Sequence, residues 1–238
     1  ISQSGRSPDI LRQTESAKLG GAFTIALVND EHSPLAEMVD AVLPLRAGPE
    51  KAVAATKSYL ATLSALCQLC AAWSANTELS DSLAALPDAM QKVIDQPAQL
   101  SADKLRDTRN AVVLGRGFGY AVGREVALKL KEVLGIHAEA FSSAEFIHGP
   151  VTLVEKELQI VNLRVEDETL RYHDDIITDV VNRGADVQTL DVNTTELHPR
   201  VLPLLALQRF YLDIEAIAVE LGLNPDTPPG LNKVTKTL

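Results

Sequence analysis

The residues best suited to chemistry stand at the beginning of the chain, in the order Ile1-Ser2-Gln3-Ser4-Gly5. Ser7 and Pro8 follow, and a helical pattern begins there. The pattern predicts the end of a strand, a short turn rich in hydroxyl groups and the start of a helix. Hydroxyls, backbone N–H groups and a helix dipole can converge on one dianion. The side chains that we expect to hold such an anion are Ser2, Gln3, Ser4 and Ser7.

The same turn also has a purely structural interpretation, as the N-terminal cap of a helix. Ser7 would cap the helix, and Pro8 would occupy its first position. Capping and anion binding are compatible with each other. The neighbouring Arg6 adds a cation, which slightly favours the binding of an anion.

A second set of residues could transfer protons. Lys129 and Glu132 lie three positions apart on a predicted helix, and Glu125 lies four positions before Lys129, so all three share one face. The structural alternative is a solvated ladder of ion pairs. However, the helix is apolar, and two histidines follow it. A carboxylate at the edge of a core can act as a base, and a nearby histidine is a natural partner. Of the two, His148 in a loop suits this role better than His137, which reads as a core residue in a strand-like run.

Two other motifs are weaker. The run Gly115-Arg116-Gly117-Phe118-Gly119 has the look of a dinucleotide fingerprint, but its third glycine is displaced and the expected acidic residue is missing. We interpret it as a tight turn in which glycine allows close packing, and we expect no cofactor. Cys67 and Cys70 lie in a helical stretch rich in Ala and Leu, which indicates reduced core thiols. A metal site would need further ligands nearby, so no metal is expected.

Composition limits the classes of function. The formal net charge is −10 and the sequence pI is about 5.0, with 46% hydrophobic and 23% charged residues. These values are ordinary for a globular protein. The sequence has no basic patch with interleaved aromatic residues, so we do not expect nucleic acid as a partner. No apolar run is long enough to span a bilayer. We expect a cytoplasmic protein. Because the chain is acidic overall, any anion site must depend on a local group of donors and not on the overall charge.

The elements that must position these residues alternate between strands and helices. Strands are predicted at residues 23–28, 41–45, 111–114, 159–163 and 186–190. Helices are predicted at residues 8–19, 34–39, 53–74, 81–94, 120–134, 169–183 and 201–221. Such alternation is typical of parallel sheets covered by helices on both faces. The sequence therefore predicts the α/β class.

A weak internal repeat predicts two similar three-layer αβα units. The order of strand, polar turn, helix, glycine and strand fits residues 1–28 and again residues 160–190. We assign residues 1–74 to a first unit, 75–109 to a helical connector, 110–222 to a second unit and 223–238 to a tail. The chain lacks an initial Met and begins with a short strand, so we expect the first unit to be truncated at its N-terminus. The second copy carries Glu166-Asp167-Glu168 in the turn, which would repel phosphate, so we expect it to serve as scaffold.

Taken together, the chain resembles the SIS (sugar isomerase) domain family from its first residue to its last. The similarity is to the isomerase part of glucosamine-6-phosphate synthase and its stand-alone relatives, including SIS-type glucosamine-6-phosphate deaminases. The matching segments are Ser2-Gln3-Ser4-Gly5, Val53-Ala54-Ala55-Thr56-Lys57, Leu114-Gly115-Arg116-Gly117, Ala127 to Glu132, His137-Ala138-Glu139-Ala140, Glu145, His148-Gly149-Pro150 and Leu231-Asn232-Lys233. Two departures are Arg6-Ser7, where the synthases have Glu-Thr, and Ala55, where Ser is frequent.

The resemblance implies a role for each site residue. Ser2, Gln3, Ser4 and Ser7 would bind a sugar phosphate together with the backbone near Val53. Glu132 would move a proton between C1 and C2 of the open-chain sugar, and Lys129 would steady the enediolate oxygen. His148 would help to open the ring, reaching in from the neighbouring subunit of a homodimer. Lys233, in a tail that closes on the active site, would contact the open-chain sugar.

The resemblance also implies an enzyme without a metal or organic cofactor. Our first hypothesis is a deaminase that converts glucosamine 6-phosphate to fructose 6-phosphate and ammonia. One alternative is the isomerase domain of a glutamine-fructose-6-phosphate aminotransferase. Another is a non-catalytic module that senses sugar phosphates. The partner expected in each case is a small sugar phosphate.

Overall fold

The computed structural model describes residues 1–156, 158–192, 196–231 and 233 of the chain. The chain divides into two compact units. The first contains residues 1–70 and the described residues from Asp226 onward, and the second contains residues 71–225. The segment predicted as a connector, residues 75–109, falls within the second compact unit. Of the predicted tail, residues 232 and 234–238 lie outside the described residues.

The first unit begins with elements that follow the predicted order. They are α1 (Pro8–Leu19), β1 (Ile25–Val28), α2 (Pro34–Met38), β2 (Ala41–Pro44) and α3 (Lys57–Ser74), the last of which continues into the second unit. Strands β1 and β2 are parallel, with Ile25 paired with Ala41, and Ser2 forms a further parallel bridge with Val28. Ala26 and Val28 pack with Leu35 of α2 and with Ile10 and Leu11 of α1.

The helix α3 starts four residues later than predicted. The reason is Glu50, whose carboxylate accepts hydrogen bonds from the backbone N–H groups of Thr56 and Lys57 at 2.8 and 2.7 Å. Burial disfavours ionisation of Glu50, but these bonds and that of Ser58 outweigh it and hold its pKa below the ordinary value. Cys70 is exposed near the end of this helix, so the prediction of two core thiols was wrong.

The second unit contains the remaining elements. They are α4 (Thr77–Ile94), α5 (Ala102–Leu105), β3 (Asn110–Gly115), α6 (Gly117–Leu134), β4 (His137–Ser142), α7 (Ser143–Phe146), β5 (Gln159–Arg164), α8 (Leu170–Asn182), β6 (Asp186–Asp191) and α9 (Leu202–Glu220), with 3₁₀ turns at Pro150–Lys156 and Pro199–Val201. The four strands form a parallel sheet in the order β4-β3-β5-β6.

Helices cover both faces of this sheet. On one face, Val112 and Leu114 pack with Phe146 of α7 and Val180 of α8. On the other, α6 lies against β3 and β4 and also packs against α9. Gly123 of α6 comes close to the strands there. The predicted α/β class with three layers and parallel sheets is confirmed.

A buried ion pair holds the segment between α4 and α5 in place by hydrogen bonds to its backbone. Arg209 of α9 bonds Asp213 one turn further along, and both side chains are almost fully buried. Arg209 also donates to the carbonyl oxygens of Val93 and Gln96. Asp213 accepts from the backbone N–H group of Gln99 at 2.9 Å. Among the described residues, no helix is long and apolar enough to cross a membrane.

Candidate functional site

The predicted anion turn, Ser2 to Ser7, lies at the carboxyl end of β1. The backbone N–H of Ser2 donates to the carbonyl of Leu27 at 3.0 Å, which continues the parallel pairing beside Val28. Ligands of parallel α/β sheets bind outside the carboxyl ends of the strands. The turn therefore lies at the edge where a ligand is expected.

Gly5 fixes the shape of the turn. Its φ is +63°, in the left-handed region, and an added Cβ atom would lie 2.1 Å from the Oγ of Ser33. Ser33 is fully buried and caps α2 by accepting from the backbone N–H of Ala36. The carbonyl of Gly5 in turn accepts from the N–H of Leu35. No other residue type fits both the conformation and the space.

The turn retains donors that an anion could use. The Ser2 and Ser4 hydroxyl oxygens accept from the backbone N–H groups of Gly5 and Arg6 at 3.0 and 3.4 Å, which leaves each O–H able to donate outward. Within the described part of the chain, the side chains of Gln3 and Ser7 make no hydrogen bond. Ser7 occupies the N-cap position of α1, and Pro8 follows as predicted, but the Ser7 hydroxyl forms no capping bond.

The predicted cation of the turn is already paired. Arg6 donates to Asp30 at 2.8 Å, and both side chains are exposed. The hydrogen bond from Arg6, with one from the backbone of His32, lowers the pKa of Asp30. Arg6 therefore brings a carboxylate with it, and the net charge beside the turn is close to zero.

The structure brings Val53 and Lys233 to one place in the first unit. The ammonium of Lys233 donates to the carbonyl of Ala52, next to Val53. The N–H of Val53 donates to the carbonyl of Asp226 at 2.9 Å, so this amide hydrogen is taken. Any contact of the Val53 backbone with a ligand would use its carbonyl group.

In the second unit, the corresponding turn after β5 is filled by its own carboxylate. Asp167 accepts from the backbone N–H of Phe118, in the first turn of α6, at 2.9 Å. It also accepts from the backbone N–H and the hydroxyl of Thr169 at 2.8 and 2.6 Å. An added Cβ atom at Gly117 would lie 2.3 Å from the Asp167 carboxylate. The helix terminus that could bind an anion is therefore occupied internally.

The glycines around the start of α6 serve close packing, as predicted. An added Cβ atom at Gly115 would lie 2.6 Å from backbone atoms of Gly119 and Tyr120. An added Cβ atom at Gly119 would lie 2.8 Å from the carbonyl oxygen of Leu163. These contacts let the helix start directly against the sheet.

The proton-transfer candidates of α6 form a compact group. The Lys129 ammonium lies 2.7 Å from Glu132 Oε2 and 3.2 Å from Glu125 Oε1. The exposed fraction of the side chain is 4% for Lys129, 5% for Glu125 and 24% for Glu132. The solvated ladder weighed above is thus excluded, because two of its three members are buried. Glu132 is the carboxylate that remains open to solvent.

Sequence reasoning missed a partner of this group. Tyr211 of α9 donates its hydroxyl hydrogen to Glu125 at 2.7 Å. Burial raises the pKa of Glu125, while Lys129 and Tyr211 act against that rise. Residues 125 and 211 are far apart in the chain, and no local spacing indicates their contact.

The structure places His148 in a turn, as predicted, whereas His137 differs from expectation. His148 is exposed in the turn that follows α7, and its side chain bonds neither Lys129 nor Glu132 in the described structure. His137, expected in the core, is exposed at the start of β4, beside Asn110. The buried histidine is His173 of α8, which bonds Asn162 at 2.6 Å and was not singled out. Among the described residues, no group of three or more His, Cys, Asp or Glu side chains could hold a metal ion.

Comparison with known proteins agrees with the resemblance to the SIS domain family. The SIS domain model matches residues 1–72 and 104–197. The glutamine–fructose-6-phosphate aminotransferase (isomerizing) of Thermotoga maritima is 31% identical over 257 residues, which cover 98% of this chain and 42% of that protein. The chain spans less than half the length of the curated relatives that it matches.

Solved structures agree with this match. A candidate phosphosugar isomerase from Silicibacter pomeroyi is 34% identical and superimposes with a TM-score of 0.83 over 94% of this chain and 71% of that one. A glucosamine-6-phosphate deaminase from Thermotoga maritima has a TM-score of 0.80 over 99% of this chain and 74% of that one, at 23% identity. At that identity the likeness shows the fold alone.

Proposed function

The chain belongs to the SIS domain family, and from this premise we propose that it isomerises an amino-sugar phosphate by proton transfer between C1 and C2. The observation that carries the proposal is the Glu132 carboxylate, held 2.7 Å from the buried Lys129 ammonium and still open to solvent. A base must be fixed in place and reachable by its substrate, and Glu132 meets both conditions.

In the proposed reaction, the turn of the first unit binds the phosphate. Hydroxyl groups of Ser2, Ser4 and Ser7 and the amide of Gln3 donate to its oxygens. This interaction anchors the substrate by a group that does not react, so that binding energy serves to orient the reacting carbons.

The proton transfer is assigned to the second unit. Glu132 takes the proton from one of the two carbons and returns it to the other, and the electrons pass through an enediolate or its amino equivalent. The ammonium of Lys129 stabilises the negative oxygen that develops. The exposed position of His148 supports its proposed role in ring opening, in the site of a neighbouring subunit.

Lys233 is proposed to contact the open-chain sugar. Its ammonium lies at the carbonyl of Ala52, beside the Val53 backbone that the resemblance assigns to the substrate. A primary amine at this place can add to the carbonyl of a ketose and form a Schiff base with loss of water.

Within this chemistry, we favour the isomerase domain of an aminotransferase over the deaminase that we first predicted. The relatives that cover 98% of this chain at 31–34% identity are described as glutamine–fructose-6-phosphate aminotransferases. In the proposed reaction, ammonia therefore condenses with the C2 carbonyl of fructose 6-phosphate with loss of water, and the proton transfer from C1 to C2 then yields glucosamine 6-phosphate. The deaminase would run the same steps in reverse.

Four measurements on the purified full-length protein test the proposal. We expect conversion of fructose 6-phosphate to glucose 6-phosphate without ammonia, and formation of glucosamine 6-phosphate when ammonium is supplied. Release of ammonia from glucosamine 6-phosphate as the faster reaction would instead support the deaminase. Binding of the sugar phosphate without any turnover would support a sensor and overturn the proposal.

A pair of variants tests the base. Glu132→Gln should lower kcat at least about 1,000-fold, because the amide cannot accept the proton. Glu215→Gln, which removes an exposed carboxylate from α9, should leave the rate unchanged. Full activity of Glu132→Gln would remove the assignment of Glu132.

A further inference from the structure

The group around Lys129 contains two residues that the proposed reaction does not use. Glu125 lies one helical turn before Lys129, is buried and contacts the Lys129 ammonium at 3.2 Å. Tyr211 reaches the same Glu125 oxygen, Oε1, from α9. The contacts run from α9 to Glu125, then to Lys129 and finally to the proposed base, Glu132.

This arrangement is an unusual use of a buried position. Burying a carboxylate and an ammonium costs free energy that their attraction does not reliably return, and apolar residues of similar size often give equal stability. Tyr211 also needs a partner for its hydroxyl group. Structural stability alone therefore gives no reason for three polar side chains to meet here.

The charges give a reason. One ammonium lies between two carboxylates, one buried and one open to solvent. If Lys129 were paired with Glu132 alone, its whole charge would act on Glu132 and would hold that carboxylate in its ionised, weakly basic form. A second carboxylate at 3.2 Å offsets part of that charge and also fixes where the ammonium lies.

We propose that Glu125, held by Tyr211, is a positioning residue that keeps the Lys129 ammonium between two carboxylates and so leaves Glu132 basic enough to accept the substrate proton. The inference rests on the proposed function, since it assumes that Glu132 is the base. The groups that act on Glu125 are Lys129, Tyr211 and Glu132. Around Gly123, the strands packed against α6 contribute the apolar side chains of Val113, Ala140 and Leu163.

Three variants separate charge from shape. Glu125→Gln keeps the size of the side chain and an oxygen that accepts from Tyr211, but it removes the charge. Glu125→Asp keeps the charge on a shorter side chain. Tyr211→Phe keeps the ring and removes only the hydroxyl group. Glu215→Gln on the surface of α9 is the matched control for loss of a carboxylate.

The measurement is kcat and KM for isomerisation of fructose 6-phosphate between pH 5 and 9. For Glu125→Gln we expect kcat to fall about 10-fold with KM unchanged, and the acid limb of the kcat profile to move to lower pH. For Glu125→Asp the acid limb should stay where it is in the wild type. For Tyr211→Phe we expect a fall in kcat of about 3-fold, and for Glu215→Gln no change.

The outcomes distinguish this inference from the proposed function. If Glu132→Gln is inactive but Glu125→Gln has the wild-type kcat and pH profile, the inference fails and the proposed function stands. If the wild type shows no isomerisation, the proposed function itself fails. A purely structural role would make Glu125→Asp, with its shorter side chain, at least as impaired as Glu125→Gln, with the acid limb unmoved in both. Should Glu125→Gln fail to fold, a Tyr211→Phe variant with unaltered kcat would still overturn the inference.

Discussion

Two turns have the same place in the α/β pattern and opposite chemistry. One is the turn from Ser2 to Ser7 in the first unit, and the other follows strand β5 in the second unit. In the first, Ser2 and Ser4 hold the backbone of the turn and keep O–H groups for an outside partner. In the second, Asp167 supplies the anion itself and accepts from Phe118 and Thr169. The first turn keeps hydroxyl donors for the anion that we propose it binds, and the second is completed by its own side chain.

The comparison shows how a repeat can divide its tasks. Helix N-termini and strand-to-helix turns attract anions wherever they occur. A protein that needs one such site must satisfy the other from within. Asp167 does so at the cost of a glycine, because no side chain larger than that of Gly117 fits beside its carboxylate.

The strongest way to break the contrast is to make the first turn like the second. Ser4→Asp would place a carboxylate beside the phosphate that we propose this turn binds, and two charges about 4 Å apart repel by roughly 4 kcal/mol at a protein surface. We expect the Kd of fructose 6-phosphate, measured by calorimetry, to rise about 100-fold or more. Ser16→Asp, on the exposed face of α1, is the control. Unchanged affinity of Ser4→Asp would show that this turn does not bind the phosphate.

The next largest effect is a difference between the two units in their stability at acid pH. The pKa of His173 is lowered to about 4 because burial disfavours its charged form. The unfolded state binds this proton near pH 6.5 and the folded state only near pH 4, so stability falls as pH drops through that window, by about 3 kcal/mol in total. His32, the histidine of the first unit, is exposed.

Hydrogen exchange between pH 6.5 and 4 checks this expectation. Amides of β5 and α8 should lose protection as the pH falls, while those of β1 and α1 should change little. His173→Gln keeps a donor for Asn162 and should abolish the dependence. Equal acid sensitivity in that variant would assign the effect to other groups.

A smaller effect is expected when the second turn loses its internal anion. Asp167→Ala removes the acceptor of three hydrogen bonds and leaves the N–H of Phe118 without its partner. We expect the free energy of unfolding, measured with urea, to fall by about 2 kcal/mol. Affinity for the sugar phosphate should not change, and a fall in affinity would contradict the division of tasks. Glu166→Ala, one residue earlier and exposed, is the control.

The smallest effect concerns the cation beside the first turn. Asp30→Asn removes the exposed partner of Arg6, and the freed guanidinium can then act on the phosphate. Surface pairs contribute about 0.2–1 kcal/mol, so we expect affinity to rise roughly 2- to 4-fold at low salt and stability to change little. The gain should disappear in 0.5 M NaCl. A loss of affinity would show that Asp30 itself supports the turn.

Local signals in the sequence account for much of the fold. The helix α1 has its predicted bounds, because Ser7-Pro8 starts it and Gly20-Gly21 stops it. The start of α3 was misplaced, since the capping carboxylate of Glu50 lies seven residues before the helix. The strand β4 was recognised only as a strand-like run around His137. The local start and stop signals of α1 were thus read correctly, whereas the start of α3 and the extent of β4 were not.

The candidate site divides in the same manner. The spacing of Lys129 and Glu132 predicted their contact, because positions three apart share a helix face. The burial of Lys129 and the bond between Glu125 and Tyr211 depend on the packing of α6 against α9, which no local pattern encodes. The carboxylate of Asp167 was expected to exclude phosphate, but its bond to Phe118 joins residues 49 positions apart.

The ion pair of Arg209 and Asp213 has a practical consequence for anyone who wishes to express the second unit alone. A fragment that begins near residue 110 would lack Gln96 and Gln99. The charges of Arg209 and Asp213 would then lose the backbone groups that bind them. Such a fragment should aggregate, whereas one that begins before Asn76 keeps every contact of this ion pair with the segment between α4 and α5. The best start for an expressed fragment of the second unit therefore lies before α4.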